Sequence, residues 1–117
     1  MESPKEPDST VMHQALVDQI KNNGHIYNTR VEAAFRAVPR HLFLPNMAPA
    51  DVYRDQAIAI QSINGQVVSS SSQPTIMAIM LEQLQLQPGH RVLEIGSGTG
   101  YNAALMAHIV GTRGEVV

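Results

Sequence analysis

Two short stretches carry residues whose types and spacing could do chemistry. "VLEIGSGTG" sets Gly96, Gly98 and Gly100 between a β-rich run and an Ala-rich one. Glycine is needed where the backbone takes positive φ or comes close to a ligand. A helix beginning after such a turn offers unpaired N–H groups and positive potential to a bound polar group. "SSSSQPTIMAIMLEQL" sets four serines, residues 69–72, before an apolar run. Those serines could be a flexible tether, a helix cap, or donors to a bound anion. The five histidines, at 13, 25, 41, 90 and 108, share no metal-ligand spacing, so they read as surface or packing residues.

The glycine turn admits several readings. A phosphate-binding loop needs Lys followed by Ser or Thr, and neither stands at that spacing. A nucleophile elbow needs Gly two places before its Ser, but Ile95 occupies that place before Ser97. The dinucleotide fingerprint is G-x-G-x-x-G; here the third Gly comes one residue early, which disfavours a pyrophosphate. A purely structural turn stays open.

The elements that must position these stretches follow from periodicity. Residues 1–9 are polar and rich in Pro, and read as a disordered tail. Thr10 can cap a helix reaching about residue 23, with Val11, Leu16 and Ile20 on its apolar face and Gly24 as its stop. Thr29 and Glu32 have capping-box spacing, opening a second helix with Val31, Ala34, Phe35 and Val38 inward and Pro39 as its end. Residues 41–55 read as irregular. "QAIAIQ" and "QVVS" flank Asn64-Gly65, a hairpin signal. Ile76, Met77, Met80, Leu81 and Leu84 mark one helix face, with Pro74 in the first turn and Pro88-Gly89 at the end. Met77 and Met80 read as core residues. "HRVLEI", the turn, "YNAALMAHIV" and "GEVV" then read strand, turn, helix, strand, the start of a parallel α/β sheet.

Bulk properties narrow the function. The 117 residues are 44% hydrophobic with net charge −2, which suits one ordinary domain or part of one, with no pull toward nucleic acid or an anionic membrane. Cys is absent, which excludes disulfides and thiolate metal sites and fits a reducing cytosol. The polar N-terminus is not a signal peptide, and no apolar run reaches the roughly 18 residues of a membrane span. The sequence ends on "EVV", inside a strand that should be buried. A doubly wound sheet needs more strands than two, so the expectation is an incomplete domain, with a compact two-strand domain as the alternative.

"VLEIGSGTGY" resembles the first motif of S-adenosylmethionine-dependent methyltransferases, with Glu94 two places before Gly96. "VEAAFRAVPRHLFLP", "YRDQAIAI", "SQPTIMAIMLEQL" and "LQPGHRVLEIGSGTGYNAALMA" resemble, in order, segments of the protein-L-isoaspartate O-methyltransferase family. The resemblance implies an α/β fold: N-terminal helices and a small hairpin over residues 10–68, then the start of a doubly wound, Rossmann-like S-adenosylmethionine-binding domain over 69–117. It implies a cytoplasmic enzyme that methylates an isoaspartyl or related aspartyl carboxylate in a protein or peptide, for repair. By the same resemblance Gly96, Ser97, Gly98 and Gly100 line the cofactor pocket, and Glu94 tunes the turn. The family's ribose-binding acidic residue falls just past Val117, so the chain alone is expected to bind the cofactor weakly and to be inactive.

The family's active-site serine lies in Thr-Ile-Ser before Gln-Pro or Ala-Pro. Anchoring on Gln73-Pro74 makes it Ser72, with Ser70 and Ser71 as substrate contacts; anchoring on Gly65-Gln66 makes it Ser69. The serine-rich version resembles a branch that tailors ribosomally made peptides at Asp, a second functional reading; a non-catalytic binding module is a third. Methyl transfer to a carboxylate is an in-line displacement, and a carboxylate with pKa near about 4 is already ionised. No general base is needed, so Ser72 reads as a positioning donor at a helix N-terminus rather than a nucleophile. A plain cap is the competing role for Ser72.

Overall fold

The computed structural model describes residues 8–117. The tail expected over residues 1–9 lies outside them except for its last two positions. Asp8 caps helix α1 (Ser9–Asn22): its carboxylate accepts from Thr10 N–H at 3.0 Å. Thr10 is therefore capped rather than the cap. His13, Leu16, Val17 and Ile20 form the buried stripe, at i, i+3, i+4 and i+7, and Val11 points to solvent.

Helix α2 (Thr29–Ala37) buries Val31, Ala34 and Phe35. Its cap is Asn28, whose side chain accepts from Arg30 N–H at 2.8 Å, so the Thr29–Glu32 capping box does not form. Glu32 instead pairs with Lys21 at 3.0 Å and Arg36 at 2.9 Å, and Arg36 reaches Asp18 at 2.7 Å. These half-exposed pairs lace α1 to α2 and contribute modestly.

The segment expected to be irregular holds a 3₁₀ turn (Arg40–Phe43) and one short helix, α3 (Pro49–Val52). The hairpin forms as its Asn-Gly signal requires. β1 (Ile58–Ile63) and β2 (Gln66–Ser71) pair antiparallel around Asn64 and Gly65, both at positive φ. Helix α4 (Pro74–Leu84) buries Pro74, Met77, Ala78, Leu81 and Glu82, whereas Ile76, Met80 and Leu84 are about half exposed. Met80 is thus not a core residue. The helix ends at Gln85 in the left-handed region, ahead of Pro88-Gly89. Buried Glu82 accepts from Tyr27 and Asn28 N–H, both at 2.9 Å, and so ties α4 to the start of α2.

β3 (Arg91–Val92) and β4 (Glu115–Val116) pair in parallel, joined by α5 (Tyr101–Val110). Glu94 N–H also donates to the Val117 carbonyl at 2.8 Å, which carries the pairing toward the glycine turn. α5 buries Tyr101, Leu105, Met106, Ile109 and Val110 and packs against α2. The core is one cluster drawn mainly from α1, α2, α4 and α5, joined by Val52 of α3 and Ile58 of β1. Among the described residues no helix is long and apolar enough to cross a membrane.

His13 shows what that core demands of a polar side chain. Its Nε2 donates to the Phe35 carbonyl at 2.5 Å, and its ring stacks on Tyr53 with centroids 5.3 Å apart. Burial pushes the imidazole below its ordinary value, and the charges of His41 and Arg36 add to this, against the pull of the Phe35 carbonyl. Between the depressed folded value and the unfolded one, about 6.5, the unfolded chain binds the extra proton. Stability therefore rises with pH across that window and is lost as pH falls through it. The thermal midpoint should drop between about pH 7 and pH 5, and His13→Gln, which keeps a donor for Phe35, should flatten the drop. An equal slope in the variant would assign the effect to other groups.

Candidate active site

The four serines do not open a helix. Ser69, Ser70 and Ser71 are the end of β2, opposite Gln61, Ala59 and Ile58 of β1. The expected join between residues 68 and 69 thus falls within a strand. Ser71 is buried, while Ser70 and Ser72 are exposed. The α4 cap position is Gln73, whose side chain makes no capping bond, so the cap reading of Ser72 fails. Asp55 caps the helix from outside. Its carboxylate accepts from Thr75 N–H at 2.9 Å and Thr75 Oγ1 at 2.5 Å, and its carbonyl accepts from Gln73 Nε2 at 3.2 Å. Pro74 has no N–H to offer. The helix N-terminus expected to hold a substrate carboxylate is therefore already occupied by a carboxylate of the chain itself. Asp55 lies 20 residues away, in a segment without periodicity, and left no local signal.

Around the glycine turn Gly96, Gly98 and Gly100 have φ of 80°, 55° and 90°, in the left-handed region where side chains are strained. Gly100 starts α5 from that conformation, and its N–H donates to the Ser97 carbonyl at 2.9 Å. Just before the turn, Glu94 Oε2 accepts from Asn102 Nδ2 at 2.8 Å. The other oxygens, Glu94 Oε1 and Asn102 Oδ1, are both buried without a partner among the described residues. Unpaired buried acceptors are costly. This pair is suited to receive N–H donors of a cationic ligand. Asn102 was not singled out from sequence, although its place in the first turn of the helix after the glycines puts it beside the acid.

A cavity of about 620 Å³ joins the two stretches. Ser70, Ser71 and Ser72 form one wall, Met77, Met80 and Leu81 of α4 another, and Glu94, Gly96, Ser97, Gly98 and Asn102 a third. The volume lies in the range of small-molecule sites, about 300–1,000 Å³. Ser69 and Gly100 lie outside the lining; Gly100 sits near the Phe43 ring, where an added Cβ would come within 3.9 Å. Behind the serine wall lies Arg40, fully buried. Its Nη1 donates to the Val52 carbonyl at 3.3 Å, and Nη2 to Ser71 Oγ at 3.4 Å and the Ser72 carbonyl at 3.2 Å. Its Nε is buried without a partner among the described residues. Burial pushes the guanidinium pKa down, opposed by the nearby Tyr101, Asp55 and Tyr53. The Tyr101 ring lies 5.8 Å from Cζ, and burial pushes its hydroxyl pKa up, so that it stays neutral.

A strand, a glycine turn with all three glycines at positive φ, a following helix and an acid before the turn form the strand–turn–helix unit that opens a Rossmann-like methyltransferase fold. The donor set fits that class: S-adenosylmethionine carries an ammonium and a sulfonium, and Glu94 and Asn102 present free acceptors. The model of the protein-L-isoaspartate(D-aspartate) O-methyltransferase family matches residues 11–117, and the chain belongs to that family. It is 40% identical over 104 residues to a protein-L-isoaspartate O-methyltransferase of Methanopyrus kandleri, covering 89% of this chain and 44% of the relative. It is 42% identical over 107 residues to protein-L-isoaspartate O-methyltransferase 1 of Archaeoglobus fulgidus, covering 92% and 45%. The chain thus spans less than half the length of these curated relatives. A solved protein-L-isoaspartate O-methyltransferase superposes with TM-score 0.76 at 39% identity, over 89% of this chain and 32% of the other. A Plasmodium falciparum structure of that description, in complex with S-adenosyl-L-homocysteine, superposes with TM-score 0.74 at 25% identity, over 89% and 46%.

Proposed function

We propose that the protein carrying this chain methylates an isoaspartyl or related aspartyl carboxylate in proteins or peptides, as a cytoplasmic repair enzyme. The observation that carries this reading is the shared cavity, with unpaired acceptors on one wall and a row of serines on another. S-adenosylmethionine supplies an electrophilic methyl group on a sulfonium. Glu94 and Asn102 accept from its ammonium, and the open backbone at Gly96, Ser97 and Gly98 lets the cofactor approach closely, with Gly100 setting the turn from behind. Ser72 donates to the substrate carboxylate, beside Ser70 and Ser71. Met77, Met80 and Leu81 keep water from the reacting pair. The carboxylate arrives ionised, so the work is alignment of two reactants, and no proton is removed.

The test is transfer of labelled methyl from S-adenosylmethionine to paired peptides differing only in isoaspartyl or ordinary aspartyl linkage. Base-labile label on the isoaspartyl peptide alone supports repair. Label on the ordinary aspartyl peptide would instead make the protein a peptide-tailoring methyltransferase, and label on neither would leave a non-catalytic binding module. Ser72→Ala gives a finer result. Because Ser72 caps nothing, its stability should stay within about 0.5 kcal/mol of the parent. Its kcat/KM should fall about tenfold for loss of one positioning donor. A loss of stability with normal turnover would restore the cap and remove Ser72 from the site.

A further inference from the structure

A buried charge without a counter-charge is expensive, because burial removes water and nothing replaces it. Arg40 has no counter-charge bonded to it among the described residues. It is wholly buried, and no acidic side chain forms an ion pair with it among the described residues. The Asp55 carboxylate acts on it through space, but it bonds to Thr75 and makes no ion pair with the guanidinium. Arg40 donates only to neutral oxygens, those of Val52, Ser71 and Ser72, and its Nε has no partner. Two of those three acceptors belong to the serine wall of the cavity. The fold has thus placed a cation with no directly bonded counter-charge behind the wall at which an anion would arrive. On the other wall stands Glu94, the sole acidic lining residue, with one carboxylate oxygen buried and unpaired among the described residues. The cavity therefore has a negative side suited to a cationic donor and a positive side suited to an anionic acceptor.

We infer that Arg40 is the positioning and charge-selecting residue of the acceptor site, fixing Ser71 and Ser72 and making the site prefer a carboxylate to its neutral amide. This rests on the carboxyl-methylation reading above. The helix N-terminus cannot take this role, since Asp55 already caps it. The remaining fixed positive charge at the serine wall is the Arg40 guanidinium.

The experiment measures peptide binding by calorimetry in the presence of S-adenosyl-L-homocysteine, which prevents turnover. Two peptides are compared, one with an isoaspartyl carboxylate and one with the corresponding amide. The parent should bind the carboxylate about ten- to a hundredfold more tightly than the amide. Arg40→Gln, neutral but still able to donate, should bring that ratio to about one while S-adenosyl-L-homocysteine affinity changes less than about threefold. Damage to packing alone would weaken both peptides alike and leave the ratio standing, which would overturn the inference. Arg40→Lys keeps the charge but has one ammonium in place of the guanidinium fork. It should keep the ratio and lose about tenfold in kcat, because Ser71 and Ser72 are no longer held together. If Arg40→Gln does not fold, the lysine variant decides: loss of its ratio, or an unchanged kcat, overturns the inference. A parent protein that transfers methyl to no peptide rejects the functional reading itself; an active parent with an unchanged ratio in Arg40→Gln rejects Arg40 alone.

Discussion

In the protein carrying this chain, Glu94→Gln is expected to weaken S-adenosylmethionine binding by about a hundredfold while leaving the fold intact. Glu94 Oε2 accepts from Asn102 at 2.8 Å, and Oε1 is buried with nothing to accept from. A glutamine is nearly the same shape, and its amide oxygen can keep the Asn102 bond. What changes is the other atom: an unpaired buried acceptor becomes an N–H₂ donor, beside a cavity proposed to take an ammonium. Hydrogen bonds to charged groups contribute about 1.5–3 kcal/mol, and replacing attraction by repulsion uses the upper part of that range. The thermal midpoint should move little, because in the free protein the lost oxygen satisfied no partner. Calorimetric titration of parent and variant is the check. A dissociation constant within about threefold of the parent would remove Glu94 from the cofactor site.

Gly114→Ala should destabilise the fold by about 2–3 kcal/mol or more, the largest stability effect among the residues discussed. Gly114 lies where the chain leaves α5 for β4. A Cβ there would come within 2.6 Å of Val110 Cγ2 and 2.7 Å of the His90 carbonyl oxygen. Neither neighbour can yield cheaply. The Val110 carbonyl accepts from Gly89 N–H at 2.7 Å, and the His90 carbonyl accepts from Glu115 N–H at 3.1 Å, the first rung of the parallel pairing. A methyl group therefore forces α5 away from β3, and the glycine turn hangs between those two elements. Urea unfolding should show a lowered midpoint with an unchanged slope. A variant as stable as the parent would mean that the helix-to-strand connection is looser than its contacts imply.

The parts of the molecule legible in sequence are those whose cause is local. Asn64-Gly65 specifies its own turn, and the strands on either side follow. The glycine turn was readable because three glycines between a β-rich and an Ala-rich run leave few alternatives. What sequence could not supply was partnership at a distance. Thr29 and Glu32 have capping-box spacing, yet Asn28 stands one place earlier and Glu32 has two cations within reach. The serines resemble a helix opening because serine caps helices and does not favour strands, but the backbone pairing with β1 outweighs that preference. Asp55 and Arg40 are unremarkable in the string of residues. Their meaning comes from what folds onto them: Thr75 in one case, Ser71 and Ser72 in the other. Three of the five residues on the apolar face assigned to α4, Ile76, Met80 and Leu84, are about half exposed, and Met80 lines the cavity rather than the core. Periodicity locates a face but cannot distinguish a wall of the core from a wall of a ligand site.

The central claim is that one cavity brings a cationic methyl donor and an anionic acceptor together. It is tested most directly by a crystal structure of the protein carrying this chain with S-adenosyl-L-homocysteine and an isoaspartyl peptide. The account predicts the ligand's amino group within hydrogen-bonding distance of Glu94 and Asn102, and the peptide carboxylate against Ser72 with Arg40 behind it. A ligand seated away from the glycine turn, or a peptide whose carboxylate lies away from the serine wall, would contradict it.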